Sequence, residues 1–238
     1  RRAIPLRPAV VNRIDTAAAS ARRALRVTQL PLRAVLFDCD GVLVDSEPVH
    51  AQATSEELAS LGTAVPANLF EQIIGMRVRD QMTIVGDLTG HDPTELFAGR
   101  ERRFWDLLHH EFPAMAGAAA GVRRLCDAGF AVGVATSGTR EYVDHVLTML
   151  GVRELISATT CGDDVRQPKP DPECYLRTAA ELGIAASLCV AVEDTELGAR
   201  SAAAAGMHVL GLDRRGEGIP SAHQRFEDLP SLVDHLLP

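Results

Sequence analysis

Residues Ala34-Val35-Leu36-Phe37 form an apolar run that stops abruptly at Asp38-Cys39-Asp40-Gly41. A short apolar run bounded by carboxylates and a glycine reads as a buried strand whose C-terminal end opens on a polar crevice. In open α/β sheets, ligands bind in that crevice. Side chains alternate along a strand, so Asp38 and Asp40 project to one side and Cys39 to the other. Two carboxylates crowded into one small site cannot both ionise cheaply without a cation or a split in their pKa values. With a divalent metal present, one can attack as a nucleophile while the other carries protons as general acid and base. A plain strand-end turn, in which Asp and Gly only form the turn, has the same local sequence. The rest of the chain decides between them.

Lys169 is the only lysine among 24 basic residues. Whatever replaced lysine by arginine elsewhere spared this position. An ammonium is a compact point charge and a guanidinium a wide fork, so a tight site beside a metal and a carboxylate can demand the former. Lys169 sits in Gln167-Pro168-Lys169-Pro170-Asp171-Pro172. The flanking prolines fix its backbone and prevent helix there.

The order of elements follows from periodicity. Leu58, Leu61, Val65, Leu69 and Ile73 recur at three- or four-residue spacing, the mark of helices with a buried stripe. Gly62, Pro66, Gly75, Gly90 and Pro93 divide the block 46–113 into four helices, with Leu96, Phe97, Phe104, Trp105 and Leu108 lining the last. From about 117 the pattern alternates. Helices are expected over 119–128, 139–150, 172–183, 195–205 and 230–237, and strands over Phe130–Ala135, Leu155–Thr160, Leu188–Val192 and His208–Leu212. Short apolar strands separated by single helices imply an α/β fold, a doubly wound parallel sheet with helices on both faces. The first strand joins that sheet, so 31–45 and 114–238 form one core domain and 46–113 is an all-helical insert. Residues 1–30 read as an N-terminal extension.

Composition excludes several classes of function. At 238 residues with 46% hydrophobic and 24% charged content, the chain suits one large domain with an insert. No apolar stretch approaches the ~18 to 20 residues of a membrane span. Five scattered cysteines without a CxxC spacing argue against a disulfide framework or a zinc site and for a reducing, cytoplasmic compartment. Residues 1–33 hold eight Arg and one acid, Asp15, for a charge of +7, so the remainder carries −15 of the net −8. That balance disfavours nucleic acid as partner of the folded domain. The Arg- and Ala-rich first 30 residues superficially resemble an organelle transit peptide, but a loosely held extension is the plainer reading.

Each later strand end adds a polar cluster. Thr136-Ser137-Gly138 places hydroxyls and backbone N–H groups before a helix N-terminus, an anion-binding corner that can also be ordinary helix capping. Glu193-Asp194 puts carboxylates at another strand end, in line with Asp38, as a six-coordinate Mg²⁺ would need.

Together these clusters resemble the haloacid dehalogenase superfamily over residues 33–213. Asp38-Cys39-Asp40-Gly41-Val42-Leu43-Val44-Asp45-Ser46 is similar to its first motif, Thr136 or Ser137 to its second, Lys169 to its third and Glu193-Asp194 to its fourth. The resemblance implies a Rossmann-like core with a helical cap. It implies Asp38 as the nucleophile that forms an aspartyl-phosphate, and Asp40 as acid and base with its carbonyl on Mg²⁺. Thr136 or Ser137, with Gly138, would bind phosphate, Lys169 would orient nucleophile and phosphoryl group, and Asp194 with Glu193 would hold the metal.

Within the superfamily, Asp40 argues against the dehalogenases, which lack that acid. The absence of a second lysine argues against the phosphonatases, and the lack of membrane spans against the transport ATPases. A phosphatase of a small phosphorylated metabolite, such as a sugar or polyol phosphate, is expected, as monomer or homodimer. The alternative is a β-phosphoglucomutase-like enzyme. His50 stands where the mutases carry a cap histidine, though related sugar phosphatases share that stretch, and Arg77 and Arg79 are candidate substrate contacts, but no lysine follows Thr136-Ser137-Gly138 as it often does in the mutases. A non-catalytic binding protein on the same fold would be expected to have lost Asp38, Asp40, Lys169 or Asp194. All four are present.

Overall fold

The structure, a computed structural model, describes residues 32–237 except 74, 75 and 77. The extension read over 1–30, and Arg77, lie outside the described residues. In chain order, β1 (Ala34–Phe37) is followed by α1 (Glu47–Ser60), α2 (Leu69–Ile73), α3 (Val78–Thr89) and α4 (Pro93–His110). Next come α5 (Ala118–Asp127), β2 (Ala131–Ala135), α6 (Arg140–Met149), β3 (Ala158–Thr160) and α7 (Glu173–Glu181). The chain then forms β4 (Cys189–Glu193), α8 (Glu196–Ala204), β5 (His208–Leu212), β6 (Gln224–Phe226) and α9 (Leu229–Leu236).

All six strands pair in parallel in the order β3-β2-β1-β4-β5-β6. The doubly wound sheet expected from the sequence is therefore present. Chain order reverses at β1, which has β2 on one side and β4 on the other. That reversal is the topological switch point where α/β sheets bind ligands.

All four β1 residues are fully buried. Val35 and Phe37 pack with Val122 of α5, Val146 of α6 and Leu232 of α9 on one face. Ala34 and Leu36 pack with Tyr175 of α7 and Ala199 of α8 on the other. A strand covered on both faces must be apolar throughout, which is why it reads as a continuous run. Each fully buried Leu or Phe contributes about 1.5–3 kcal/mol relative to exposure.

Two strands differ from expectation. β3 begins at Ala158, not Leu155, because Arg153–Leu155 make a 3-10 turn tied down by Arg153 Nε donating to Asp144 Oδ1 at 2.9 Å. Leu155 and Ile156 pack against the core without joining the ladder. β6 was not expected at all: Gln224-Arg225-Phe226 exposes its first two residues and has no apolar run. Polar, charged side chains are how a sheet edge avoids pairing with another chain.

The helices α1 to α4 lie between β1 and β2 in the chain. Their distal parts share a separate apolar cluster of Leu58, Leu69, Ile73, Met82, Val85 and Leu96. Their proximal parts join the core through Val49 and Ala53 of α1 and Phe104 and Leu108 of α4. Asp92 starts α4 by accepting from the N–H groups of Thr94 and Glu95 at 2.9 and 3.1 Å, with Pro93 in the first turn. Trp105 of α4 meets Tyr142 and His145 of α6 edge-on, with centroids at 6.4 and 5.4 Å. The two linkers run side by side: the Asp45 N–H donates to the Pro113 carbonyl at 2.9 Å, and Val44 bridges Ala114. Beyond β5, Arg214 pairs with Asp45 at 3.1 Å and Arg215 pairs with Glu47, holding the entry to α1. Among the described residues, no helix is long and apolar enough to cross a membrane.

Candidate active site

The parallel ladder brings the C-terminal ends of β1, β2 and β4 together, and Lys169 joins them. Its Nζ donates to Asp38 Oδ1 at 2.8 Å, the Ala135 carbonyl at 3.0 Å and Glu193 Oε1 at 2.6 Å. An ammonium has three donors, and all three are used on three strand ends. A planar guanidinium would not match this tripod, which is a physical reason for the lone lysine. Its side chain is 6% exposed, with Nζ 5.0 Å from the centre of the Tyr175 ring. Burial alone would favour the neutral amine, but Asp38 and Glu193 outweigh it and hold the Lys169 pKa well above the ordinary value.

Asp38 extends the ladder, its N–H donating to the Val192 carbonyl at 3.0 Å. Burial pushes its carboxyl up to about 7, against the pull of Lys169 and helped by repulsion from Glu193 and Asp40. Cys39 points to the opposite side, fully buried with Val35 and Phe37. All five cysteines are free thiols.

Glu193 is completely buried and has both oxygens engaged. Oε1 accepts from Lys169 and from the Tyr175 hydroxyl at 2.7 Å, and Oε2 accepts from the Thr195 hydroxyl at 3.2 Å. Asp194 is its opposite. Its Oδ1 is buried and has no hydrogen-bond partner among the described residues. Burial first, then the charges of Asp38 and Glu193, raise its carboxyl to about 8. Space for that carboxylate exists because residue 41 is glycine: φ is +70°, and a Cβ would lie 1.7 Å from Asp194 Oδ2.

Asp38, Glu193 and Asp194 each offer an oxygen within 4.8 Å of the others. A buried, unpartnered carboxylate oxygen in an all-oxygen cluster fits a hard divalent cation such as Mg²⁺, which takes few protein ligands and keeps the rest for water and substrate. Both oxygens of Glu193 already accept hydrogen bonds, so the least engaged oxygens are those of Asp194 and Asp38 Oδ2.

Asp40 stands apart from the tripod. Its Oδ1 accepts from the hydroxyls of Ser46 at 2.5 Å and Tyr142 at 2.6 Å. Burial and the charge of Asp40 hold the Tyr142 phenol well above its ordinary pKa, so it stays a donor.

At the β2 end, Thr136 is 1% exposed and its hydroxyl accepts the Gly138 N–H at 3.1 Å, whereas Ser137 is exposed. His50 is not joined to Asp40. Its ring stacks on Phe104 with centroids 4.4 Å apart, and its Nδ1 contacts the Arg100 guanidinium. Arg100, 1% exposed, also pairs with Glu101 and lies over the Phe104 ring at 4.7 Å. Arg79 is exposed and lies over the Phe97 ring at 4.4 Å.

Sequence reasoning missed Tyr142, Tyr175, Ser46 and Arg100. The chain has two tyrosines, and each places its hydroxyl on a carboxylate of the site. Scarcity, the signal that picked out Lys169, would have found both. Arg100 sits among several arginines and gave no such signal.

Comparisons with known proteins place the chain in a family. The family model for haloacid dehalogenase-like hydrolases matches residues 32–206. The protein CbbY of Rhodobacter capsulatus is 28% identical over 227 residues, covering 88% of this chain and 99% of that protein. Hexitol phosphatase B of Escherichia coli is 30% identical over 191 residues, covering 77% and 84%. Among solved structures, CbbY from Rhodobacter sphaeroides in complex with phosphate aligns with a TM-score of 0.71 at 24% identity, covering 83% of this chain and 94% of that one. The β-phosphoglucomutase of Clostridium difficile gives 0.71 at 16% identity, covering 86% and 97%. At those identities the structures speak for the fold. The match of the family model over most of the chain goes further: this protein is an enzyme of the haloacid dehalogenase-like hydrolase family.

Proposed function

We propose that the chain is a Mg²⁺-dependent phosphatase that hydrolyses a small phosphorylated metabolite, a sugar or polyol phosphate, through a phosphorylated Asp38. The observation that carries this reading is the Lys169 tripod on Asp38, Ala135 and Glu193, set beside the unpartnered oxygen of Asp194. In this reading 31–45 and 114–238 are the catalytic core, and 46–113 is a cap that covers the site and excludes water during transfer.

Attack by Asp38 brings an anion toward an anion. Lys169 holds Asp38 in place through Oδ1 for its attack on phosphorus, and its charge stabilises the transition state. When bound at Asp38 and Asp194, Mg²⁺ supplies charge neutralisation at the phosphoryl oxygens as a Lewis acid. Glu193 orients Lys169 and balances its charge. As the ester P–O bond breaks, the leaving oxygen takes a proton from Asp40. Asp40 then removes a proton from water, which attacks phosphorus, breaks the bond to Asp38 and releases inorganic phosphate. The exposed Ser137 hydroxyl and the Thr136 hydroxyl, which accepts the Gly138 N–H and keeps its own hydrogen, are the phosphate donors in this scheme.

The names of two relatives support the substrate class: hexitol phosphatase B, and the validoxylamine A 7'-phosphate phosphatase of Streptomyces hygroscopicus, 30% identical over 203 residues. His50 contacts Arg100 and Phe104 and not Asp40, which supports the phosphatase over the mutase in this reading. A panel of phosphorylated sugars and polyols, assayed with Mg²⁺ for both inorganic phosphate and isomerised product, tests the proposal. Phosphate without isomer is expected, and isomer formation dependent on a bisphosphate would overturn it.

A further inference from the structure

Asp40 is held from two directions. Both hydroxyls bound to it converge on Oδ1, while Oδ2 accepts nothing among the described residues. Ser46 belongs to the linker that leads into α1. Tyr142 stands on the first turn of α6, where the Thr139 side chain caps the helix by accepting the Tyr142 N–H. Its ring is 6% exposed and packs against Phe104 at 5.8 Å and Trp105 at 6.4 Å, both from α4. One side chain therefore touches the carboxylate with its hydroxyl and the helical insert with its ring.

We infer that Tyr142 is a positioning residue that aims Asp40 at the leaving group and ties that aim to the packing of α4 on α6. The inference rests on the reading of Asp40 as general acid. A carboxyl oxygen already accepting two hydroxyl hydrogens has no lone pair left for a proton, so the transferable proton is confined to Oδ2. Rotating the carboxyl away would strand a buried phenol hydroxyl without a partner, which opposes the rotation. Proton delivery is sensitive to such aim, because reacting groups must meet in a narrow range of orientations. Moving α4 off α6 would unseat the ring and release the carboxyl, so accurate proton donation is confined to the packed arrangement.

The test is Tyr142→Phe, which keeps the ring and removes the donor. With Mg²⁺, kcat/KM is measured on dinitrophenyl, p-nitrophenyl and phenyl phosphate, in order of rising leaving-group basicity. A good leaving group departs without a proton and a poor one needs it. The expected loss is about 10- to 100-fold on phenyl phosphate and less than about threefold on the dinitrophenyl ester. Phe104→Leu leaves the hydroxyl in place but loosens the seat of the ring, and a weaker steepening of the same kind is expected. The Tyr142→Phe/Ser46→Ala double variant is expected to lose more than the product of the single losses, since each donor partly covers for the other. An equal loss on all three esters, or none, in Tyr142→Phe overturns the inference, because a purely structural role lowers every ester alike. A profile for Phe104→Leu parallel to wild type overturns the link to the insert. A wild-type protein that releases no phosphate from any ester overturns the phosphatase reading and this inference with it.

Discussion

At the floor of the site, Lys169 reaches Asp38 and Glu193, each at a strand end, at 2.8 and 2.6 Å. In the helical insert, His50, Arg100 and Phe104 come from two helices and meet through ring and guanidinium contacts. The floor is positioned by ladder hydrogen bonds, which are the same whatever the side chains are. In the insert, these residues from separate helices meet through side-chain contacts. A reaction shared by many enzymes belongs on the first kind of surface, and a choice of substrate on the second, where residues can change without moving the chemistry.

The sharpest way to break this contrast is Asp38→Asn. Phosphate release should fall on the order of 10⁴-fold or more, while the melting temperature stays equal or rises, because a buried carboxyl raised to about 7 is removed. Retained activity in a phosphate-release assay would sink the proposed chemistry. Lys169→Met should cost about 3–5 kcal/mol in urea unfolding, because it strands two buried carboxylates, and should abolish turnover. Gly41→Ala forces a side chain at φ +70° and against Asp194. About 1–3 kcal/mol of strain and a large loss of Mg²⁺-dependent activity are expected, and an unchanged Mg²⁺ requirement would count against Asp194 as a ligand.

The pH dependence of stability sharpens the contrast further. Asp38 and Asp194 have folded pKa values of about 7 and about 8, above the ordinary carboxylate value of 3.8. The folded state therefore binds more protons than the unfolded one between those limits, so these groups stabilise the fold at low pH and lose that contribution as pH rises toward 8. Without divalent cations, the melting temperature should fall from pH 6 to pH 8. With Mg²⁺ it should fall less, since a cation stabilises the ionised carboxylates, and identical slopes with and without Mg²⁺ would contradict the proposed ligands. The smallest effect belongs to the helical insert: Arg79→Ala removes an exposed cation–π contact with Phe97 worth about 0.5–1 kcal/mol. Turnover of p-nitrophenyl phosphate should stay within about threefold, and a larger drop would place Arg79 in the chemistry.

The same contrast explains what the sequence revealed. Asp38, Asp40, Lys169, Glu193 and Asp194 were legible because each follows an apolar strand or stands between prolines, and strand ends converge in any doubly wound sheet. Four of the five parallel strands after β1 were found for the same reason, while β6 was invisible because an edge strand needs no apolar run. The partners of Asp40 were not legible. Tyr142 lies 102 residues away, and its hydroxyl reaches Asp40 only through the packing of α6 against the sheet. His50 was read from its place near the first motif, yet its ring answers to Arg100, 50 residues on and across two helices.

The chain has one tryptophan, Trp105, and it is wedged where α4 meets Tyr142 and His145 of α6. Any motion that parts the insert from the sheet carries that indole toward water. Its native fluorescence therefore serves as a built-in gauge of opening, readable during turnover without a label.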